Sequence, residues 1–164
     1  MRRQRKPDPA ALAAPDDPRA ARLAALKLLN RRDHGARELA ERLVARGFAR
    51  AAADEAIAGL CNERLIDDAR FAGHFVAYHA NRGRGPVGIA HRLREAGVPG
   101  ETIAAAVDAS AADWRRRAAE ARRKRFGAKL PATWAEKGRQ ARFLTQRGFS
   151  ADQVRAAVGS EHED

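Results

Sequence analysis

Glu38-Leu-Ala-Glu-Arg-Leu-Val-Ala-Arg-Gly-Phe48 returns twice along the chain, as Gly88-Ile-Ala-His-Arg-Leu-Arg-Glu-Ala-Gly-Val98 and Arg139-Gln-Ala-Arg-Phe-Leu-Thr-Gln-Arg-Gly-Phe149. Aligned on Gly47, Gly97 and Gly148, the copies are 50 and 51 residues apart. A leucine stands four residues before each glycine (Leu43, Leu93, Leu144), and an apolar residue follows it (Phe48, Val98, Phe149). Repetition at this period describes a string of similar units, not one globule around a pocket.

The flanks of each copy show what the unit is. Asp17-Pro18 is an N-cap followed by proline at the first helical position, and Ala21, Ala25, Leu28 and Leu29 then follow helical spacing to about Arg31. After the break at Asp33-His34-Gly35, a second helix with Glu38 at its third position runs to Arg46. Gly47 ends it, since glycine accepts the left-handed conformation common at helix C-termini. A third helix turns Ala53, Ile57 and Leu60 inward. The next unit starts at Asp67 or Asp68, carries Phe71, Phe75, Val76 and Tyr78, restarts at Gly85-Pro86 and again after Pro99, and ends with Ile103 and Val107. The last begins near Ser110 and Asp113, uses Thr133-x-x-Glu136 and Ser150-x-x-Gln153 as capping boxes, and buries Val154 and Val158. Ala53/Ile57, Ile103/Val107 and Val154/Val158 fall at the same offsets from their glycines.

The expected fold is therefore all-α and without sheet, an elongated tandem array of three three-helix repeats; a single helical bundle is the rival. The expected divisions are a disordered tail at 1–18, repeats at 19–66, 67–109 and 110–159, and an acidic tail at 160–164. The glycines themselves are read as helix stops that bind nothing.

The formal charge of +11 is uneven: residues 109–160 hold 13 Lys/Arg against 4 Asp/Glu. That makes the third repeat the basic one and favours an anionic partner, nucleic acid or an acidic protein surface. Arg115, Arg116, Arg117, Arg122, Arg123, Lys124 and Arg125 share one helix and cover its circumference except for the Trp114–Ala118–Ala121 stripe. Lys137, Arg139, Arg142 and Arg147 extend the field along the next. The candidate partner-binding set is Arg82, Arg84, Arg92, Arg94, Arg115, Arg116, Arg122, Arg123, Lys124, Arg125, Lys137, Arg139 and Arg142. Trp134 either stacks on a base, as in single-strand binders, or packs in the core or between units, and packing is preferred.

Little else carries chemistry. The five histidines are dispersed and read as exposed or partner-facing; His74 and His79, five apart, do not face one another as metal ligands would. Asp67-Asp68 sits where a helix needs a cap, which is preferred over metal binding or acid–base work. Cys61 has no CxxC partner and reads as a packing residue in a reducing compartment. The amides of Arg82-Gly-Arg-Gly-Pro86 are placed either to hold an anion or simply to turn the chain, and the turn is preferred. No catalytic residue, metal or cofactor is expected, no membrane span or export signal is read, and a cytoplasmic monomer is the expectation.

Arg31-x-x-His34-x-x-Arg37-Glu38-Leu39-x-x-x-Leu43-x-x-Arg46-Gly47, then Leu65-Ile-Asp-Asp-x-Arg-Phe-Ala72, then Gly85-Pro-x-x-Ile89-x-x-x-Leu93-x-x-x-Gly97-Val98 resemble the RecX family of bacterial recombination regulators. The resemblance spans roughly residues 19–158. Gly35 stands where a small hydroxyl residue is common, and Gln140 replaces the apolar residue matched by Leu39 and Ile89. The resemblance implies a cytoplasmic, non-enzymatic protein of tandem three-helix units. Such a protein binds the RecA recombinase filament on DNA along its groove, with single- or double-stranded DNA as a further partner, and restrains strand exchange, ATP hydrolysis and co-protease activity. A stand-alone, helix-turn-helix-like DNA-binding protein is the alternative.

Overall fold

A computed structural model of the chain describes residues 8–110 and 112–159. Among the described residues every regular element is an α-helix and there is no strand. The helices are α1 (Pro9–Ala13), α2 (Pro18–Leu29), α3 (Ala36–Val44), α4 (Arg50–Asn62), α5 (Asp68–Asn81), α6 (Pro86–Glu95), α7 (Gly100–Ala109), α8 (Trp114–Phe126), α9 (Trp134–Gln146) and α10 (Ala151–Val158). The described residues fall into two compact units: 8–71 with 96–99, and 72–95 with 100–110 and 112–159.

In the first unit, α2 packs on α4 and α3 closes over both. Ala21, Ala25, Leu39, Leu43, Ala53 and Leu60 are fully buried between them. Asp17 caps α2 through the Arg19 amide, as its place before Pro18 requires. Gly35, at the head of α3, has no side chain to cap with, and Asp68 Oδ1 takes the Ala36 amide instead at 2.9 Å. Asp67 meanwhile accepts from the Arg70 amide at 3.0 Å. The acidic pair thus caps two different helices, and the Arg70 amide, with that of Ala69, holds the Asp67 carboxyl below its ordinary range.

The expected tail at 1–18 is corrected over its second half. Asp8 caps α1, donates its own amide to Arg46 O at 3.0 Å and sets its carboxylate 3.3 Å from the Arg46 guanidinium. Ala11 is buried, and the Ala49 amide reaches back to Pro15 O at 2.8 Å. A helix of five residues cannot stand alone, and these contacts with the first repeat hold it. Residues 1–7 of that tail and the acidic tail at 160–164 lie outside the described residues.

Each repeat's stop motif is built as the spacing implies. Gly47, Gly97 and Gly148 all have positive φ, and the amides of Phe48 and Phe149 return to Leu43 O and Leu144 O, both at 3.2 Å. The leucines and the residues after the glycines are buried in all three copies.

The glycines do more than stop helices, however. In the second unit the turn holding Gly148 rests backbone-to-backbone on the head of α6. The Gly85 amide donates to Arg147 O at 2.9 Å and the Gly88 amide to Gly148 O at 3.1 Å. A Cβ on Gly148 would stand 2.5 Å from the Gly88 backbone. In the first unit Gly97 lies against the Arg37 side chain at the head of α3, where a Cβ would meet Cδ at 2.5 Å. The stop glycine of one repeat is thus also the contact with the previous repeat's second helix. The amides of Arg82, Gly83, Arg84 and Gly85 are all spent on carbonyls, which fits the reading of that segment as a turn.

Candidate anion-binding groove

One open groove of about 1030 Å3 lies within the second unit. The end of α5 and the turn after it supply Tyr78, His79, Arg82 and Arg84, and α6 adds Arg92. Arg117, Lys124 and Arg125 come from α8, while Phe143 and Arg147 come from the end of α9. Seven cations thus meet one carboxylate, Glu120, which itself lies 3.6 Å from Arg116 Nε. Aromatic faces are interleaved with the charge. The Arg82 guanidinium stands 4.2 Å from the Tyr78 ring centre, and that of Arg147 stands 5.1 Å from Phe143.

Like charges held this close repel, and the titrating groups register it. Burial lowers the basicity of His79, and the cations of Arg92, Arg84 and Arg82 push it the same way. Arg84 is weakened as a base by burial and then by Arg92 and Arg147. Several fixed cations disfavouring one another's charge is the electrostatic condition for binding an anion, which relieves all of them together. The His79 ring stands 4.2 Å from Phe75 and 5.1 Å from Tyr78 between ring centres.

The groove brings together five of the candidate cations: Arg82, Arg84, Arg92, Lys124 and Arg125. Arg94 lies apart, on a smaller cleft of about 300 Å3 between α6 and α7 lined by Val87, Ala90 and Ile103. Arg115, Arg116, Arg123, Arg139 and Arg142 are exposed and Lys137 half-buried, all outside the groove lining.

Arg122 is a correction. Only 4% exposed, it faces inward and donates to Lys129 O (3.0 Å), Ala128 O (3.3 Å) and Gln140 Oε1 (3.4 Å). Its partner Gln140 is also buried, at the position where the other repeats place Leu39 and Ile89. The guanidinium ties the α8–α9 connection to the core of the third repeat and is withdrawn from the partner-facing set.

Two further expectations change. His34 is buried, not exposed, with Nδ1 3.2 Å from Glu38 Oε2. Burial raises the Glu38 carboxyl, but hydrogen bonds from His34 and Arg32 outweigh it and hold the pKa at about 2. Trp134 is 88% exposed and packs in no core, whereas Trp114 joins the core of the third repeat.

Arg117 and Arg147, named in the basic field but left out of the candidate set, belong to the site, and sequence reading missed Tyr78 and His79. The signals were present. Arg117 and Lys124 are seven apart and share a face of α8, and Tyr78 and Arg82 stand four apart.

Helices of the second and third repeats thus assemble a cationic groove interleaved with aromatic rings. Comparison with known proteins gives the family. Models of the first, second and third three-helix domains of RecX match residues 21–60, 67–107 and 114–158. A Regulatory protein RecX from Halorhodospira halophila (strain DSM 244 / SL1) is 46% identical over 145 residues, covering 88% of this chain and 90% of that one. Another from Stenotrophomonas maltophilia (strain R551-3) is 40% identical over 140 residues, covering 85% and 86%. The crystal structure of RecX from Lactobacillus salivarius superposes with a TM-score of 0.73 at 21% identity, covering 88% of this chain and 96% of that one. This chain belongs to the RecX family.

Proposed function

We propose that this chain binds the RecA recombinase filament on DNA and restrains its strand exchange, ATP hydrolysis and co-protease activity, in DNA repair and the SOS response. It acts in the cytoplasm, as a monomer and by binding, without a cofactor. Family membership supports the regulatory role, and the relatives' shared name, Regulatory protein RecX, points the same way. The observation that carries the contact is the groove, where seven cations face one carboxylate. Such a surface raises the rate of encounter with an acidic filament and loses that advantage as salt screens it.

The test is ATP hydrolysis by RecA on single-stranded DNA. The wild-type chain inhibits it, and inhibition weakens as salt rises. Reversing three groove charges together (Arg82→Glu, Arg84→Glu, Lys124→Glu) raises the half-inhibitory concentration by about tenfold or more while helical content stays unchanged. Undiminished inhibition by that variant would show that the groove is not the contact.

The aromatic rings among the cations favour a second reading, direct binding of nucleic acid without a recombinase. A gel shift on random single strand and duplex separates the two. Weak, sequence-blind retention belongs with filament binding; tight, site-specific retention belongs with a stand-alone DNA-binding protein.

A further inference from the structure

The connection between α8 and α9 is held at both ends yet presents two large apolar side chains to solvent. At its start, Arg122 reaches up from the core to the carbonyls of Ala128 and Lys129. At its end, Glu136 Oε2 accepts the amides of Ala132 (2.9 Å) and Thr133 (3.3 Å), while Thr133 Oγ1 accepts the Glu136 amide. Pro131 is buried between these anchors. Leu130 is nonetheless 56% exposed, and Trp134, at the first position of α9, is 88% exposed.

Burying a guanidinium against neutral acceptors costs free energy that an apolar pair at Arg122 and Gln140 would avoid. What the arrangement secures is one conformation of the connection. The helix beside Trp134 is bare as well. Position 138, one turn on, is a glycine inside α9 with nothing within 4 Å of where a Cβ would stand, so no side chain there covers the indole. A mid-helix glycine that no neighbour requires is unfavourable to the helix, and here it leaves the ring's flank open.

We propose that residues 127–134 form a prebuilt docking element. In it Trp134 and Leu130 seat in an apolar cleft with a carboxylate rim on a partner protein, which on the reading above is the recombinase filament. Tryptophan is among the residues enriched at interface hot spots, and in a rigid setting little ordering entropy is lost when it is buried. The occupant follows from chemistry. Leu130 has no π face for a base to stack on, so the pair matches an apolar cleft and not a nucleic-acid strand. Lys129 and Lys137 flank it, and the nearby carboxylate of Glu136 is turned to backbone amides, so the rim presented to a partner is basic.

The test uses the full chain with Trp134→Ala, Trp134→Phe and Leu130→Ser variants. Each is assayed for inhibition of recombinase ATPase on single-stranded DNA and for binding to a fluorescent naked single strand. The expectation is a half-inhibitory concentration raised about tenfold or more for W134A, several-fold for L130S and less than about threefold for W134F. Affinity for the naked strand stays within about twofold throughout, and melting is unchanged because both side chains lie outside the core. L130S tests the surface independently should W134A disturb the start of α9. Inhibition by W134A and L130S equal to wild type overturns the docking element and leaves the filament reading standing. Equal losses on filament and naked strand overturn it in favour of stacking on a base. A wild-type chain that does not inhibit at all overturns both readings together.

Discussion

Replacing Gly148 with alanine tests whether the repeat glycine is only a helix stop or also the joint between successive repeats. Two costs are separable. Alanine at a φ of +86° carries left-handed strain of about 1–2 kcal/mol, partly offset by about 0.4–1 kcal/mol from a less flexible unfolded chain. The second cost is local to this position. The new Cβ would stand 2.5 Å from Cα and N of Gly88, both backbone atoms of a helix that cannot swing aside. The turn must lift off α6, and the bonds from the Gly85 amide (2.9 Å) and the Gly88 amide (3.1 Å) go with it, at about 1 kcal/mol each. The net loss is about 3 kcal/mol, or about 6–12 °C in melting temperature for a chain of this size. Gly159→Ala is the control, since it too is left-handed, with a φ of +74°, but the added carbon would meet only the Leu130 side chain, at an ordinary 3.6 Å. It should cost about 1 kcal/mol or less. Urea unfolding followed by far-UV circular dichroism measures both, and amide exchange should quicken at Gly85 and Gly88 in G148A only. If G148A costs no more than G159A, the joint between repeats contributes nothing and the reasoning fails.

Arg122→Ala, which orphans Gln140 and two backbone carbonyls, should cost about 2–3 kcal/mol in urea unfolding, against about 0.5 kcal/mol or less for exposed Arg123→Ala. Equal costs would return Arg122 to the surface set. Glu38 makes stability depend on acid. Its folded pKa of about 2 lies below the ordinary 4.5, so the stabilisation is complete above 4.5 and drains away as pH falls towards 2. Allowing for solvent at this partly exposed group, the loss is on the order of 1–2 kcal/mol, and Glu38→Gln should flatten the stability curve over that window.

The helices were legible because their ends are written locally. Asp17-Pro18, Thr133-x-x-Glu136, Ser150-x-x-Gln153 and the three stop glycines each state a cap within four residues, and the structure uses all of them. The short helix over Pro9–Ala13 was not legible, since its bonds run to Arg46 and Ala49, far along the chain. Asp68 illustrates the same limit. A cap for α5 was expected at either aspartate, but capping of α3 by Asp68 depends on a contact 32 residues away. The exposure of Trp134 was half-written, because its neighbours one turn on, Lys137 and Gly138, provide no apolar partner.

Arg122 shows why charge density is a poor guide to a binding surface. Read as a run, 115–125 is basic nearly all round the helix, and every member has the same claim to a partner. Read by period, Trp114, Ala118 and Arg122 are successive fours on the stripe that faces the core. Gln140 sits at a buried position of the repeat, where the other copies carry Leu39 and Ile89. Two polar residues at apolar positions of adjacent helices imply each other, since neither could be buried alone without losing its hydrogen bonds. What remains of the run then divides by face, with Arg117, Lys124 and Arg125 turned into the groove beside Arg82, Arg84, Arg92 and Arg147. The surplus charge of the third repeat sets how strongly an anion is drawn towards the molecule from a distance. On the proposed reading, where it comes to rest is set by these seven side chains and by the glycine joint, beside Arg147, that holds the turn after α9 against α6.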